Sequence, residues 1–273
     1  MPSEKRTPPC VLTVAGSDSG GGAGIQADLK TFAALGAYGT SVITALTAQN
    51  TCGVQSVFAV PQETVRAQAE AVFADFPIAA VKIGMLPDAA SVETVADILR
   101  RHKPPFVVLD PVLRSSSGAD LGRDTLDVLR EELLPLADVL TPNLAEAARL
   151  CGVQTAYGEE EFLAQGWRLQ QFGAKNILLK GGHFDDGAQC CDRLLTADGS
   201  VGIFCTPRSR STNSHGTGCT LASALAALYP QTASLPEAAA RAKQYVYGAL
   251  EAAADWRIGK GCGPLAHFWR QAE

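Results

Sequence analysis

The residues best suited to chemistry lie in His215-Gly216-Thr217-Gly218-Cys219-Thr220, which runs directly into the apolar stretch LASALAAL. A helix starting near Gly218 leaves its first-turn N–H groups without intrahelical partners, and its aligned peptide dipoles add partial positive charge there. Gly216 and Gly218 remove the side chains that would hold a ligand away, so an anion is the expected occupant. A thiol in that field should lose its proton more readily than a free one, which makes Cys219 a candidate base. The plainer alternative is a small apolar residue packed in a first helical turn, with glycines that only make the bend. His215, a single histidine beside this turn, reads as structural.

A second glycine cluster, AGSDSGGGAGIQAD at 15–28, follows an apolar run and opens a helical one. It is not a dinucleotide fingerprint, because the next strand-like segment, SVITALTAQN, ends in Gln49-Asn50 where an acidic ribose ligand would be required. Neither a Gly-x-x-x-x-Gly-Lys-Ser/Thr loop nor a Gly-x-Ser-x-Gly elbow occurs. Two glycine turns remain, with Ser17, Asp18, Gln49, Asn50, Asp110, Asn143 and Lys180 spread between them. Phosphoryl transfer fits such a set: it needs donors around the moving phosphate, a metal and a modest base, and little covalent chemistry from the protein.

Those polar residues end apolar runs that alternate with amphipathic ones. VLTVAG, SVITALTAQN, VQSVFAV, IAAVKIGML, FVVLD, ADVLTPN and NILLKGG read as strands. IQADLKTFAALG, QETVRAQAEAVFADF, SVETVADILRRH and TLDVLREELL read as helices, and 187–205 as a hairpin turning at Asp198-Gly199. Repeated strand–helix order predicts a mostly parallel sheet covered by helices on both faces. Right-handed crossovers then collect the strand ends at one edge, where such sheets bind ligands.

The 273 residues read as a single domain with a flexible tail over 1–9, and no linker, repeat or apolar membrane span interrupts them. A net charge of -5 argues against a nucleic-acid partner, and a start without an apolar leader points to the cytoplasm. The eight cysteines show no metal-binding spacing and are expected to be reduced.

AGSDSGGGAGIQADLKTFAALGAYGTSVITALTAQNT, VKIGML, LTPNLAEA, LLKGGH and HGTGCTLASALAA together resemble the hydroxymethylpyrimidine and phosphomethylpyrimidine kinases of thiamin biosynthesis, in the ribokinase superfamily. The resemblance implies a ribokinase-like three-layer α/β/α sandwich around a mostly parallel sheet. It also implies ATP-dependent phosphorylation of 4-amino-5-hydroxymethyl-2-methylpyrimidine, then of its monophosphate. Gly216, Thr217, Gly218 and Cys219 would form the catalytic turn, with Lys180 neutralising ATP phosphates. Gln49 would read the aminopyrimidine, whose ring nitrogen and amine match a carboxamide. Asp28 would bind near the substrate's polar edge, Gly16 would lie at the site, and Met85 and Val112 would wall the ring.

The same resemblance places Asn143 and Glu146 in an Asn-x-x-Glu pattern tied to magnesium and phosphate through water, shared with Asp110. A helix cap with its capping-box glutamate is the structural alternative for that pair. A homodimer is expected as well. The chain departs from the pattern at Arg114-Ser115-Ser116-Ser117-Gly118, where relatives carry a lysine-containing turn. Pyridoxal-phosphorylating members use a further cysteine in that loop, and residues 111–118 contain none. That lowers pyridoxal as the main substrate; the alternatives are a pyridoxal kinase of the same fold and a pyrimidine-binding domain without catalysis.

Overall fold

The computed structural model describes residues 7–113, 123–182 and 187–271. Its strands are β1 (Cys10–Asp18), β2 (Tyr38–Asn50), β3 (Gly53–Ala59), β4 (Ile78–Ile83), β5 (Val107–Leu109), β6 (Val139–Leu140), β7 (Asn176–Leu179), β8 (Gln189–Leu195) and β9 (Val201–Pro207). They form one sheet in the order β3-β2-β1-β4-β5-β6-β7-β8-β9. The block from β2 to β7 is parallel, while β3, β8 and β9 run antiparallel at the two flanks.

The helices are α1 (Gly24–Ala34), α2 (Gln62–Asp75), α3 (Ala89–His102), α4 (Arg123–Val128), α5 (Leu144–Cys151), α6 (Glu159–Gln171), α7 (Thr217–Thr232) and α8 (Leu235–Ala252). Strand alternation assigns them to two layers. Leu12, Val81, Leu109, Leu140 and Ile177 face a core with residues of α2, α3, α5 and α6. Their chain neighbours Val11, Ala80, Val108, Val139 and Leu178 face a separate core with α1, α7 and α8. Side chains on successive strand residues point to opposite faces, so a sheet buried on both sides reads as an unbroken apolar run.

Three expectations change. The segment TLDVLREELL is not one helix: it passes into a π-helical turn at Leu129–Leu133 and a 3-10 turn at Leu134–Leu136. Pro135 removes an N–H there and forces the geometry to tighten. Cys191 and Cys205 are joined in a disulfide, not left reduced, because the β8–β9 register sets them opposite one another. The expected N-terminal tail is anchored at its end, where the Pro9 carbonyl accepts from Tyr38 N–H, and residues 1–6 lie outside the described residues.

One polar cluster interrupts the layer beneath α1 and α7. Thr13 and Lys82 are register partners on β1 and β4, one alternation beyond Val11 and Ala80, so both point into that apolar layer. Asp28 of α1 meets them: its carboxylate accepts from Lys82 Nζ at 2.9 Å on both oxygens and from Thr13 Oγ1 at 2.6 Å. Ser223 of α7 donates to the same carboxylate at 2.6 Å. Both side chains of the ion pair are 0% exposed. Removing one donor to a buried charged acceptor costs about 1.5 to 3 kcal/mol. Ser223→Ala should therefore lower thermal stability by about that amount, read from the shift of a calorimetric or fluorescence melting curve.

Candidate active site

The carboxyl ends of the parallel strands open into a cavity of about 230 Å³, lined by Gly16, Gln49, Met85, Val112, Lys82 and Cys219 among others. Gly16 is needed there because a Cβ would lie 2.6 Å from Met85 Cε, so its absence lets the methionine form the wall. The Gln49 carboxamide stands between Thr47 Oγ1 and His215 Nε2, each 3.2 Å away. A second cavity of about 490 Å³ lies beside it, with Thr206, Arg208, Thr217, Val246, Tyr247 and Leu250 in its lining. Asn143, Lys180, His215, Gly216 and Gly218 line both, so the two chambers meet at the first turn of α7.

That junction is shaped by backbone. Gly216 caps α7 in the left-handed region at φ 86, and a Cβ on it would strike the Gly22 carbonyl. The two glycine turns, nearly two hundred residues apart in the chain, are thus pressed together. A Cβ on Gly218 would lie 3.3 Å from Lys180 Nζ, tight enough that the ammonium would have to shift, and 3.6 Å from Asp110 Oδ2, so this glycine brings backbone close to a charged pair.

Asp18 fastens the first turn, accepting from the N–H groups of Gly20, Gly22 and Ala23. It also lies 2.9 Å from His215 Nε2, and since an ionised carboxylate only accepts, that nitrogen carries the proton. Burial opposes ionisation of Asp18, but the His215 hydrogen bond and the backbone donors outweigh it and hold the group at about 2.

Lys180 joins the acidic groups: its Nζ is 2.8 Å from Asp110 Oδ1 and 3.5 Å from Glu146 Oε2. Burial works against the Asp110 charge, yet Lys180 and then Lys82 keep it below the usual carboxylate range. Glu146 is pushed up, first by burial and then by the Asp110 charge, against the opposite pull of Lys180. Asn143 and Glu146 also form the complete capping box of α5, with reciprocal bonds of 2.8 and 2.9 Å. Capping fixes both side chains at the cavity wall, so the structural and functional readings coincide.

Two expectations are corrected. Asp28 is not at the substrate's edge: it is sealed in the layer below, where Lys82, Thr13 and Ser223 use its carboxylate. The Cys219 thiol is not made more acidic. It faces the cavity but is otherwise enclosed by protein, and burial pushes it up to about 11, with Asp28 and Asp110 adding to the rise. Lys82 and the Gly24 N–H pull the other way without prevailing. A helix start does lower thiol pKa at a wet surface; here desolvation and two carboxylates are the larger effects.

Gly16, Gln49, Met85, Asp110, Val112, Asn143, Glu146, Lys180, Gly216, Gly218 and Cys219 all line the substrate-sized cavity, and Thr217 lines the larger one. The Arg114–Gly118 loop lies outside the described residues. Asp18, expected at the ligand edge as a strand-end residue, lines the site, and Lys82 and His215 line it without having been singled out for it. A lysine inside an apolar strand was a usable signal for Lys82, since a buried ammonium demands a partner.

A family model described as phosphomethylpyrimidine kinase matches residues 18–266. The chain belongs to that family. It is 51% identical over 258 residues to the hydroxymethylpyrimidine/phosphomethylpyrimidine kinase of Salmonella typhimurium, covering 94% of this chain and 96% of that one. Among solved structures, a phosphomethylpyrimidine kinase from Clostridium difficile is 38% identical with a TM-score of 0.77, covering 88% of this chain and 98% of its own. An ADP complex of Bacillus subtilis pyridoxal kinase is 30% identical with a TM-score of 0.88, covering 98% and 100%. Both belong to the ribokinase-like α/β architecture found here, and this phosphomethylpyrimidine kinase family member is a kinase.

Gly216→Ala gives the junction a direct test. Positive φ and collision with the Gly22 carbonyl should cost about 1 to 3 kcal/mol of stability and misplace the first turn of α7. Phosphorylation should drop well beyond what the melting shift explains, measured at a temperature where the variant remains folded.

Proposed function

We propose that the protein transfers the terminal phosphoryl group of ATP to the hydroxymethyl oxygen of 4-amino-5-hydroxymethyl-2-methylpyrimidine, and then phosphorylates the monophosphate to the diphosphate. The observation that carries this reading is the meeting of a small chamber and a larger one at the Gly216–Cys219 turn. The smaller, with Met85 and Val112 for a ring and Gln49 for an amine beside a ring nitrogen, suits an aminopyrimidine. The larger suits ATP, with Thr217 and Lys180 at its phosphate end. The 51% identity to the Salmonella kinase supports this substrate. The high TM-score to pyridoxal kinase reflects a shared scaffold and does not select pyridoxal.

Among the described residues no group of three or more metal-ligating side chains assembles. Asp110 and Glu146 nevertheless fit magnesium, which keeps several waters and takes few protein ligands. They would hold it through water, and the ion would neutralise charge on the phosphates. Lys180 balances the same two carboxylates and faces both chambers. First-turn amides of α7 receive the developing negative charge on the transferred group. As the hydroxymethyl oxygen forms its bond to phosphorus and the bond to ADP breaks, the Cys219 thiolate takes the hydroxyl proton and becomes the thiol.

We place this work in the cytoplasm, where ATP is held, and in a homodimer; Leu46, Val57 and Phe58 form exposed apolar surface on the β2–β3 hairpin that a second copy would cover. Mass analysis after incubating the pure protein with ATP, magnesium and the pyrimidine alcohol should show monophosphate, then diphosphate. No phosphorylated pyrimidine, or phosphorylated pyridoxal in preference to it, would overturn the assignment.

A base near 11 has a distinctive signature. Between neutral pH and that value the reactive thiolate increases about tenfold per pH unit, so kcat/KM for the pyrimidine should climb with the same steepness. Cys219→Ala should retain both ligands, fall by about two to four orders of magnitude, and lose that climb. Full activity in the alanine variant would send the proton directly to phosphate.

A further inference from the structure

His215 lines the smaller chamber through a nitrogen whose proton is already assigned. Its ring is hemmed in by Gly22, where a Cβ would lie 2.5 Å from His215 Cδ2, and its backbone N–H donates to the Gly263 carbonyl. Nε2 donates to Asp18, whose carboxylate is itself fixed by the N–H groups of Gly20, Gly22 and Ala23. The same Nε2 lies 3.2 Å from the Gln49 carboxamide nitrogen, and the carboxamide oxygen lies 3.2 Å from Thr47 Oγ1.

A carboxamide has nearly the same shape either way round, so the donors and acceptors beside it decide which end faces which. With Nε2 toward His215, two N–H groups confront each other and neither accepts from the other. Turned end for end, Oε1 faces the His215 N–H, and Nε2 donates to Thr47 Oγ1, whose own hydrogen goes to the Ser17 carbonyl at 2.9 Å. Each contact along the row from Asp18 through His215 and Gln49 to Thr47 then pairs a donor with an acceptor. The substrate asks for the same order. In the pyrimidine alcohol the amine sits on the ring carbon next to the one bearing the hydroxymethyl group, and the ring nitrogen lies farther from that group. The hydroxymethyl must reach the Gly216–Cys219 turn, which His215 directly precedes, so the amine falls on the His215 side of Gln49, where an acceptor is needed.

We propose that His215, held by Asp18, is a positioning residue for substrate selection: it fixes Gln49 with Oε1 toward itself and Nε2 toward Thr47, so that the chamber takes an amine beside an unprotonated ring nitrogen and rejects the reverse pattern. This rests on Gln49 being the group that reads the pyrimidine. The 4-oxo counterpart of the same alcohol carries the reverse pattern, a carbonyl oxygen in place of the amine and an N–H in place of the ring nitrogen. To pair with it, Gln49 has to turn Nε2 back against the His215 N–H. A carboxamide able to turn would take either compound, and the His215 proton makes the two unequal.

The test is calorimetric titration of the protein, without ATP, with the amino and the 4-oxo alcohols. His215→Leu removes the donor, and the preference for the amino compound should fall by about tenfold, the scale of one hydrogen bond. The oxo compound should bind this variant more tightly than it binds the unaltered protein. Loosening of the chamber weakens both compounds, so movement in opposite directions separates orientation from structural support. His215→Gln, whose terminal N–H reaches the Nε2 position, should keep the preference. Where His215→Leu does not fold, Thr47→Val decides, because it removes the acceptor at the other end of the carboxamide at nearly unchanged volume and should lower the preference in the same way.

An unchanged preference in His215→Leu, proportional weakening of both compounds, or a preference lost equally in His215→Gln overturns the proposal. Gln49→Leu tells the two readings apart. A preference that survives Gln49→Leu removes Gln49 as the reader and the proposal with it, whereas one lost in Gln49→Leu but intact in His215→Leu overturns the orienting role alone.

Discussion

The buried Asp28–Lys82 pair is the constraint on which the site is built. A charge pair sealed from water is tolerated only when its remaining hydrogen-bonding capacity is met, and here Thr13 and Ser223 meet that of the carboxylate. Meeting it fixes α1, α7, β1 and β4 relative to one another at their ligand-facing ends. Helix α7 itself has few alternatives: its buried face is Leu and Ala over most of its length, which specifies a layer but not a position along it. A directional bond from Ser223 to a fixed carboxylate supplies the missing coordinate.

The glycine turns depend on that placement. A Cβ on Gly216 would strike the Gly22 carbonyl and one on Gly22 would lie 2.5 Å from His215 Cδ2, and the Asp18–His215 bond closes the same contact. Polar residues at successive strand ends then face a common opening without long-range adjustment. The capping box of Asn143 and Glu146 shows how economical this is: the bonds that start α5 also hold a carboxylate beside Lys180 and Asp110.

Electrostatics at the junction is a balance between a cationic helix start with two lysines and a set of buried carboxylates. Asp110 stays ionised because both lysines act on it, whereas Glu146 and Cys219 are held toward their neutral forms. The arrangement suits phosphoryl transfer, in which positioning and charge stabilisation dominate and the base has a modest task.

Much of this was legible in the residues alone. Apolar runs alternating with amphipathic ones specified the layered sheet, Gly199 the flanking hairpin, and strand-final Gln49, Asp110, Asn143 and Lys180 the ligand edge, because each signal is local and periodic. The sequence also determined the family, through glycine turns whose spacing is a backbone requirement. Tertiary structure alone decided that Asp28 belongs to the core, that Asp18 reaches His215, that Cys191 opposes Cys205, and that Cys219 is less acidic than a free thiol. Each of these depends on which groups become neighbours and how much water they lose, quantities that sum over residues distant in the chain and leave no pattern in any one stretch of it.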